Sequence, residues 1–176
     1  INLLKKIFIN SKIDIFINSI KNKYNLIVLC GGNDLFLKDK KNKIRNRVNN
    51  QIYNFALKNK IQILGICLGA QFLAKKNKFK LKKNTCVVGN HEVFFNINKK
   101  KFTKYVNSFH NDSIKNDKIS NINIFGVAID NTVEAFHIKD KKILGIMWHP
   151  ERYSSIKEFD RKLLKEFYAT NSIISW

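Results

Sequence analysis

Cys67 stands between two glycines, where an apolar run meets a segment that favours helix. The apolar run covers residues 61–66, and the helix-forming segment covers residues 68–76. A strand that turns directly into a helix needs small neighbours, because the backbone folds tightly there and must leave room for a substrate. This pattern is typical of a nucleophile elbow, and it predicts an α/β fold with Cys67 as the nucleophile.

The position of Cys67 also bears on its reactivity. At the N-terminus of a helix, backbone N–H groups and the helix dipole favour the thiolate, which is the reactive form of cysteine. The alternative is a buried structural cysteine at the end of a strand, which is common for this residue type. A G-x-C-x-G match can arise by chance, so the motif alone leaves both interpretations open.

A second apolar run, residues 143–148, leads directly into His149, Pro150 and Glu151. A cysteine nucleophile needs a base that accepts its proton, and the base needs a third group that fixes its tautomer and orientation. Pro150 keeps the preceding residue extended, which sets the relative direction of the His149 and Glu151 side chains. The alternative is an ordinary loop. Because both signals occur in one short chain, the sequence predicts that Cys67, His149 and Glu151 act together.

Two further strand ends provide groups that complete such a site. Residues 26–30 form an apolar run that ends in Gly31 and Gly32, where glycines allow close backbone approach in the crevice of a parallel sheet. The backbone N–H groups of Gly32 and Leu68 are predicted to form an oxyanion hole. Residues 105–110 are predicted to form a strand whose polar end suits a charged substrate. Taken alone, that segment favours the alternative of an ordinary strand end.

Together these motifs resemble the class I glutamine amidotransferase superfamily and, within it, the free-standing γ-glutamyl hydrolase branch (peptidase C26 type). They occur in the order and near the spacing of that family, over a span from about Ile7 to Glu151. The matching segments are Gly31-Gly32-Asn33-Asp34, Gly65-Ile66-Cys67-Leu68-Gly69-Ala70-Gln71, Val106-Asn107-Ser108-Phe109-His110 and Trp148-His149-Pro150-Glu151. The cysteine and His-Pro-Glu motifs are specific for the superfamily, and the other two are moderately specific for the branch.

The resemblance implies a flavodoxin-like, open and mostly parallel sheet flanked by helices, with an antiparallel, β-rich C-terminal part. It also implies that Cys67 attacks a γ-glutamyl carbonyl and forms a thioester, while His149 shuttles the proton and Glu151 orients His149. Gly32 and Leu68 would bind the oxyanion. The positions that bind the glutamyl α-amino and α-carboxylate groups in relatives are Gln71, Ser108, Phe109 and His110. The resemblance implies no metal and no organic cofactor.

Two departures from the family pattern bear on this interpretation. Members normally begin with a strand and a long helix before the equivalent of Ile7, so the first βα unit of the family is apparently missing. The segment after Asp34 is short where longer relatives carry a substrate-shaping insertion, and this leaves the leaving group open. One compact relative acts on a γ-glutamyl nucleotide phosphoramidate, which makes that substrate type a candidate.

Length and cysteine usage bound the class of protein. With 176 residues and no linker, the chain is predicted to form one domain over residues 1–176. Its cysteines, Cys30, Cys67 and Cys86, are widely spread, which argues against a disulfide framework and predicts a reducing, cytoplasmic location. The sequence has no signal-peptide pattern and no apolar run long enough to span a membrane. Cys30 and Cys86 lie among apolar residues and are predicted to be inert packing thiols.

The net charge of +20, from 33 lysines and arginines against 13 acidic residues, raises the question of a nucleic-acid partner. The lysines are scattered and do not form one stripe with aromatic residues. Lysine, asparagine and isoleucine are jointly enriched, as expected from an AT-rich genome. We therefore predict a solvated lysine surface with no nucleic-acid or membrane partner. The charge is expected to help attract an anionic substrate to the cleft.

Hydrophobic periodicity predicts alternating strands and helices, followed by a β-rich second half. Residues 7–9 and 26–30 are predicted strands, and the helix between them buries a face over residues 13–20. The next helix carries an apolar stripe of Ile44, Val48, Ile52, Phe55 and Ala56. Later strands are predicted near residues 92–96, 102–108, 124–129, 133–138 and 143–147, with a hairpin turn at 140–142 and a closing helix that buries Phe159, Leu163, Leu164 and Phe167. His91 and Glu92 point to opposite faces of their strand, so a structural role is predicted for His91.

Three classes of function fit these observations. The first is a self-contained hydrolase that cuts a γ-glutamyl amide bond of a small molecule and releases glutamate. The second is a glutaminase subunit that passes ammonia to a synthase partner on another chain. The third is a catalytically inactive binding module, which the joint presence of Cys67, His149 and Glu151 disfavours. The motifs of the γ-glutamyl hydrolase branch favour the first class.

Overall fold

The computed structural model describes Lys5, Ile7 and residues 24–32, 40–83 and 87–173. Within these ranges, strands dominate, and helices flank the first and last parts of the sheet. In chain order the elements are β1 (Leu26–Leu29), α1 (Lys40–Lys58), β2 (Gln62–Ile66), α2 (Leu68–Lys76), β3 (Leu81–Lys82), β4 (Val87–Ile97), β5 (Lys100–His110), β6 (Ser113–Lys115), β7 (Asn123–Ala128), β8 (Thr132–Ile138), β9 (Ile143–Ile146), a 3-10 helix (Pro150–Arg152) and α3 (Glu158–Thr170).

The strands β1, β2 and β9 form the parallel part of the sheet. β1 pairs with β2, and β2 pairs with β9, in both cases in parallel. Such strands are apolar along their length when helices cover both faces of the sheet. Their carboxyl ends meet at one edge, where the chain continues into Gly31, Cys67 and His149. The strand order therefore gathers three segments that are far apart in sequence.

The remaining strands form the antiparallel part, in the order β9, β8, β7, β4 and β5, with β6 on β8 and β3 on β6. β4 and β5 make a long hairpin that is paired from Val87–His110 to Ile97–Lys100. Its two-residue turn, Asn98 and Lys99, has φ values of 51° and 66°, which match the twist of a tight hairpin. β7 pairs with β4 only through residues 93–95. The other end of the hairpin continues past β7 and reaches Cys67.

Apolar clusters lie on both faces of the sheet. On one face, α1 and α2 pack against the strands, and on the other face α3 packs against Trp148. The Trp148 side chain is fully buried, and its Nε1–H donates to Oδ1 of Asp160 over 2.8 Å. Burial raises the pKa of Asp160 to about 6. The hydrogen bond to Asp160 thus holds Trp148, the residue that immediately precedes His149.

The predicted α/β fold with an antiparallel C-terminal part is confirmed. Within the described ranges, parallel pairing is limited to β1, β2 and β9, because the sheet beyond β9 is built from antiparallel neighbours. The helix that follows Cys67 has the predicted bounds, and the predicted closing helix is α3. None of the helices in these ranges has both the length and the apolar composition needed to cross a membrane.

Several predicted elements differ from the structure. β4 and β5 are longer than predicted, because their hydrogen-bond ladder continues past the apolar stretch into polar residues. Ile7 is helical, so the strand predicted at residues 7–9 is wrong there, and residues 8–9 and 13–20 lie outside the described residues. Ile44 is 46% exposed, so the buried stripe of α1 does not include it. The short strands β3 and β6 were not predicted, because two or three residues carry too little periodicity.

Candidate active site

Cys67 forms the turn between β2 and α2. Its backbone has φ 50° and ψ −106°, a conformation that a residue with a β-carbon rarely adopts. The Cys67 N–H donates to the Ile146 carbonyl over 2.8 Å, and the Gln71 N–H donates to the Cys67 carbonyl over 2.9 Å. A β-carbon at Gly69 would lie 2.0 Å from the Leu29 carbonyl oxygen, so only glycine fits there. The sharp strand-to-helix turn predicted from the sequence is present.

His149 and Glu151 contact each other directly. Nδ1 of His149 lies 2.6 Å from Oε1 of Glu151. Because an ionised carboxylate only accepts hydrogen bonds, Nδ1 carries the proton and Nε2 is left as a basic nitrogen. The His149 side chain is 2% exposed, and its Nε2 has no hydrogen-bond partner among the described residues. This is the geometry of an imidazole base that a carboxylate orients.

Gly31 brings His149 and Cys67 to the same small space. A β-carbon at Gly31 would lie 2.7 Å from Cε1 of His149 and 3.7 Å from the β-carbon of Cys67. Cε1 is the ring atom between the two nitrogens, so the imidazole and the cysteine border the same stretch of backbone. The structure therefore brings together the three residues that the sequence singles out, Cys67, His149 and Glu151.

The Cys67 thiol is buried, and this burial raises its pKa to about 12. The N–H of Leu68, at the start of α2, acts in the opposite direction, as does the charge of Arg152, whereas Glu151 and Glu134 raise the pKa further. The helix N-terminus thus acts in the predicted direction, but the loss of hydration on burial outweighs it, so the pKa of the thiol is raised and the thiolate is disfavoured overall.

Asn107 fixes the backbone of His149. The His149 N–H donates to Oδ1 of Asn107, and Nδ2 of Asn107 donates to the His149 carbonyl, each over 2.9 Å. The Asn107 N–H donates in turn to the Tyr153 hydroxyl over 3.0 Å. The sequence assigned no role to Asn107. Its contact depends on the long β4–β5 hairpin, which brings residue 107 to residue 149.

The two predicted oxyanion donors lie at the edge that carries Cys67. The Leu68 N–H, in the first residue of α2, lowers the pKa of the Cys67 thiol, so it acts on negative charge at the sulfur. Gly32 follows β1, the neighbour of β2, and comes directly after Gly31, which borders His149 and Cys67. Both residues therefore follow neighbouring strands at the edge that carries Cys67, and their role as oxyanion donors stays a prediction.

Of the residues that the resemblance assigns to substrate binding, Phe109 contacts Cys67 through its backbone, and three others carry buried polar atoms. The Cys67 thiol donates to the Phe109 carbonyl over 3.9 Å, which places the end of β5 next to the sulfur. Nε2 of Gln71 donates to the Asp112 carbonyl over 2.9 Å. Oε1 of Gln71, Oγ of Ser108 and both ring nitrogens of His110 are buried and have no hydrogen-bond partner among the described residues. Buried polar atoms are normally paired, so this group suits a polar ligand.

A buried carboxylate that sequence reasoning missed, Glu134, lies between two histidines. Its Oε2 is 3.5 Å from Nε2 of His91, and its Oε1 is 3.7 Å from Nε2 of His110. Burial acts to raise the pKa of Glu134, but the contacts with His110 and His91 outweigh it and hold the pKa below its usual range. The available signal was an acidic residue inside β8, a strand whose residues are all buried.

The remaining predictions concern the other two cysteines and possible metal ligands, and the structure describes part of these residues. Cys30 is an exposed free thiol, so the prediction that it is packed in the core is wrong, because β1 ends before it. Cys86 lies outside the described residues. Across residues 24–32, 40–83 and 87–173, no group of three or more His, Cys, Asp or Glu side chains is arranged to hold a metal ion.

The sequence is similar to a known family and to individual proteins. It matches the family model described as glutamine amidotransferase class-I over residues 5–171. It is 36% identical over 151 residues to a gamma-glutamyl-CDP-amidate hydrolase from Campylobacter jejuni, covering 85% of this chain and 72% of that protein. It is 30% identical over 123 residues to a glutamine-hydrolyzing GMP synthase subunit from Methanococcus vannielii, covering 65% of this chain and 62% of that protein.

Solved structures share the fold. A GMP synthase subunit from Thermoplasma acidophilum superposes with a TM-score of 0.64 at 21% identity, covering 82% of this chain and 71% of that chain. A glutamine amidotransferase from Thermotoga maritima superposes with a TM-score of 0.63 at 23% identity, covering 77% and 60%. At these identities the likeness shows the fold, whereas the family model spans almost the whole sequence. The chain belongs to the class I glutamine amidotransferase family.

Proposed function

We propose that this protein hydrolyses a γ-glutamyl amide bond and releases glutamate through a thioester on Cys67. The observation that carries the proposal is the position of His149, which is held by Glu151 at 2.6 Å and borders the same backbone at Gly31 as Cys67. The relative from Campylobacter jejuni, which is named a gamma-glutamyl-CDP-amidate hydrolase, supports the class of bond.

The first half of the proposed reaction forms the thioester. Cys67 starts as a neutral thiol, so Nε2 of His149 removes the proton as the sulfur attacks the γ-carbonyl carbon. The N–H groups of Leu68 and Gly32 stabilise the negative charge on the carbonyl oxygen. The C–N bond then breaks, and the imidazolium of His149 returns the proton to the departing nitrogen.

The second half removes the glutamyl group. Nε2 of His149 takes a proton from a water molecule, which attacks the thioester carbon. The C–S bond breaks, the sulfur regains a proton from His149, and glutamate leaves with the new carboxylate. Glu151 keeps the proton on Nδ1 in both halves and stabilises the imidazolium. No metal or organic cofactor takes part in these steps.

The glutamyl half of the substrate is proposed to lie on the polar groups beside Cys67. Its α-amino and α-carboxylate groups need acceptors and donors that are buried and already in place. Oε1 of Gln71, Oγ of Ser108 and Nδ1 of His110 are such atoms, and none of them has a hydrogen-bond partner among the described residues. The Phe109 carbonyl, next to the sulfur, completes this set.

A glutaminase subunit that delivers ammonia to a synthase partner is the second candidate. It is favoured by the 30% identity to the GMP synthase subunit from Methanococcus vannielii. The same Cys67 chemistry would serve both functions, with ammonia as the departing group. We further propose that the chain forms a single domain and acts in the cytoplasm, in line with free thiols at Cys30 and Cys67.

Purified protein assayed with γ-glutamyl amides of different leaving groups tests the proposal. We expect glutamate and the free amine in equal amounts, with no release by Cys67→Ala and normal release by Cys30→Ala. If only glutamine is cleaved, and the rate rises with the concentration of an added synthase, the ammonia-delivering function replaces the hydrolase. Glutamate release that persists in Cys67→Ala contradicts both.

A further inference from the structure

Two of the four arginines in this sequence lie at the candidate active site. The chain has 33 basic residues, of which only Arg45, Arg47, Arg152 and Arg161 are arginine. Arg45 contacts the Gly31–Gly32 backbone, and Arg152 directly follows Glu151. A guanidinium presents a planar fork of donors that matches a phosphate, which a lysine ammonium does not. Arginines at this place in a lysine-rich chain therefore suggest recognition of a specific anion.

Arg152 lies over the aromatic ring of Phe109. Its Cζ is 4.3 Å from the ring centroid, and the same ring makes an edge contact with the His149 imidazole at 5.8 Å. The backbone carbonyl of Phe109 accepts a hydrogen bond from the Cys67 thiol. Phe109 is 40% exposed, so this guanidinium stands at an open side of the cleft. A stacked guanidinium keeps its edge N–H groups available for a ligand.

Arg45 reaches the site from α1. Its Nη2 donates to the Gly31 carbonyl over 3.4 Å, and a β-carbon at Gly32 would lie 1.7 Å from Nη1. The guanidinium therefore lies directly on Gly32, the predicted oxyanion donor. Neither Arg45 nor Arg152 forms a salt bridge with a carboxylate in the part of the chain that the structure describes. Within those described ranges, neither positive charge is paired with a carboxylate, so each can meet an anionic ligand.

We propose that Arg45 and Arg152 bind a phosphate group carried by the leaving half of the substrate, on or next to the amide nitrogen. This inference rests on the proposed function. The carbonyl carbon is held at Cys67, so a group on the departing nitrogen must lie within a few bonds of Gly32 and Phe109. Those are the positions that the two guanidinium groups cover.

The arginines hold the leaving group and do not change its chemistry. The bond that breaks is the one between the γ-carbonyl carbon and nitrogen, and His149 supplies the proton to that nitrogen. The nitrogen–phosphorus bond stays intact, so the product is glutamate and a phosphoramidate. Charge pairing with both arginines lets the anionic group approach Cys67 despite the nearby carboxylate of Glu151.

Matched substrates and variants test this inference. We would measure kcat/KM for L-glutamine, for γ-glutamylglycine and for a γ-glutamyl phosphoramidate of a nucleoside diphosphate. The variants are Arg45→Gln, Arg152→Gln and Arg152→Lys, with Arg47→Gln and Arg161→Gln as controls that remove the same charge from other positions on α1 and α3. The quantity compared is kcat/KM for the phosphoramidate divided by kcat/KM for glutamine. Any effect of Arg152 on the reactivity of Cys67 changes both values equally, so it cancels in this ratio.

We expect wild-type protein to prefer the phosphoramidate, and each of Arg45→Gln and Arg152→Gln to reduce that ratio about 10- to 100-fold, the range for losing a charged hydrogen bond. Arg152→Lys should keep part of the preference, and the two controls should keep all of it. An unchanged ratio in both glutamine variants overturns the inference. A preference for γ-glutamylglycine that depends on the same arginines also overturns it, because the anion would then be a carboxylate.

A binding measurement separates this inference from the proposed function. Calorimetry with Cys67→Ala protein and a nucleoside diphosphate or inorganic phosphate needs no turnover. Binding of the nucleotide that weakens at least tenfold in the Arg45→Gln and Arg152→Gln backgrounds, but not with Arg161→Gln, supports the phosphate site even if no substrate is cleaved. Equal binding in all backgrounds overturns the site, whereas failure of the proposed function shows only as missing glutamate.

Discussion

Asn107 clamps the backbone of His149, with its side-chain amide accepting from the His149 N–H and donating to the His149 carbonyl, both over 2.9 Å. The carboxamide can do both at once because its oxygen and nitrogen match a peptide unit. Asn107 lies on β5, whereas His149 follows β9, so this contact ties the hairpin to the parallel part of the sheet. The orientation of the imidazole therefore depends on two supports, Glu151 at the ring and Asn107 at the backbone.

Replacing Asn107 with alanine should misplace His149 and slow turnover on the order of 100-fold, because a small displacement of a catalytic group is costly. We expect the loss mainly in kcat, with a small change in KM, in steady-state assays of glutamate release. Asn90 is the cross-strand partner of Asn107 and is exposed, so Asn90→Ala is the matched control. Unchanged kcat in Asn107→Ala would show that the clamp has no part in catalysis.

The protonation state of Cys67 gives a second prediction. Burial raises the pKa of this thiol to about 12, so the thiolate fraction at neutral pH is small. The rate of Cys67 alkylation by iodoacetamide should rise about tenfold per pH unit from about pH 7 to about pH 10 and should not level off in that range. Mass spectrometry of the labelled peptide measures the rate. A plateau within that range is incompatible with a neutral resting thiol.

His149 and Glu151 should differ in the size of their effects. The imidazole transfers protons in both half-reactions, so His149→Ala should lose kcat on the order of 10²–10⁴-fold. Glu151→Gln keeps the shape of the side chain but loses the charge, and it should retain more activity than His149→Ala. Steady-state kinetics with a γ-glutamyl amide decides this, and near-normal turnover in His149→Ala would mean that the base is misassigned.

The buried Glu134 should contribute to stability in a pH-dependent way. Its pKa is lower in the folded state than the usual 4.5, so its contribution is present above pH 4.5 and is lost as the pH falls through the folded value. Glu134→Gln should lower the free energy of unfolding at neutral pH by about 1–3 kcal/mol, because both histidines lose a charged partner. The deficit should shrink in acid.

Chemical denaturation at neutral pH and in acid, below the usual pKa of a glutamate, measures that difference. Glu158→Gln removes an exposed carboxylate from the first turn of α3 and serves as the control, with an expected change below about 1 kcal/mol. A Glu134→Gln protein as stable as wild type at neutral pH would contradict the assignment of Glu134 as a charged support for His91 and His110.

Much of the site could be predicted from sequence because its key residues follow apolar strands. The carboxyl ends of parallel strands meet at one edge, so Gly31, Cys67 and His149 are expected together from the pattern alone. In the short segment His149-Pro150-Glu151, the proline restricts the backbone and so sets the relative direction of the His149 and Glu151 side chains. Local patterns of this kind do not depend on long-range pairing. For that reason α2 has the predicted bounds and α3 is present where a last helix was predicted.

The supports of the site could not be predicted, because they depend on long-range pairing. Asn107 and Glu134 are polar residues within strands, and only the register of β5 and β8 shows what they face. Arg45 lies on a helix whose rotation about its axis places it on Gly32. The net pKa of Cys67 could not be predicted for a related reason: the helix N-terminus is a local feature, whereas the burial that outweighs it is a property of the whole fold.

Covalent labelling by a glutamine-like electrophile that mimics the γ-glutamyl group tests the role of Cys67 most directly. We expect one adduct per chain, located at Cys67 by mass spectrometry of the digested protein, with Cys30 and Cys86 unmodified. Cys67→Ala should not be labelled, and excess γ-glutamyl substrate should protect the wild-type protein. Labelling of Cys30 or Cys86 at the same rate, or labelling unchanged in Cys67→Ala, would contradict the central claim that Cys67 is the nucleophile.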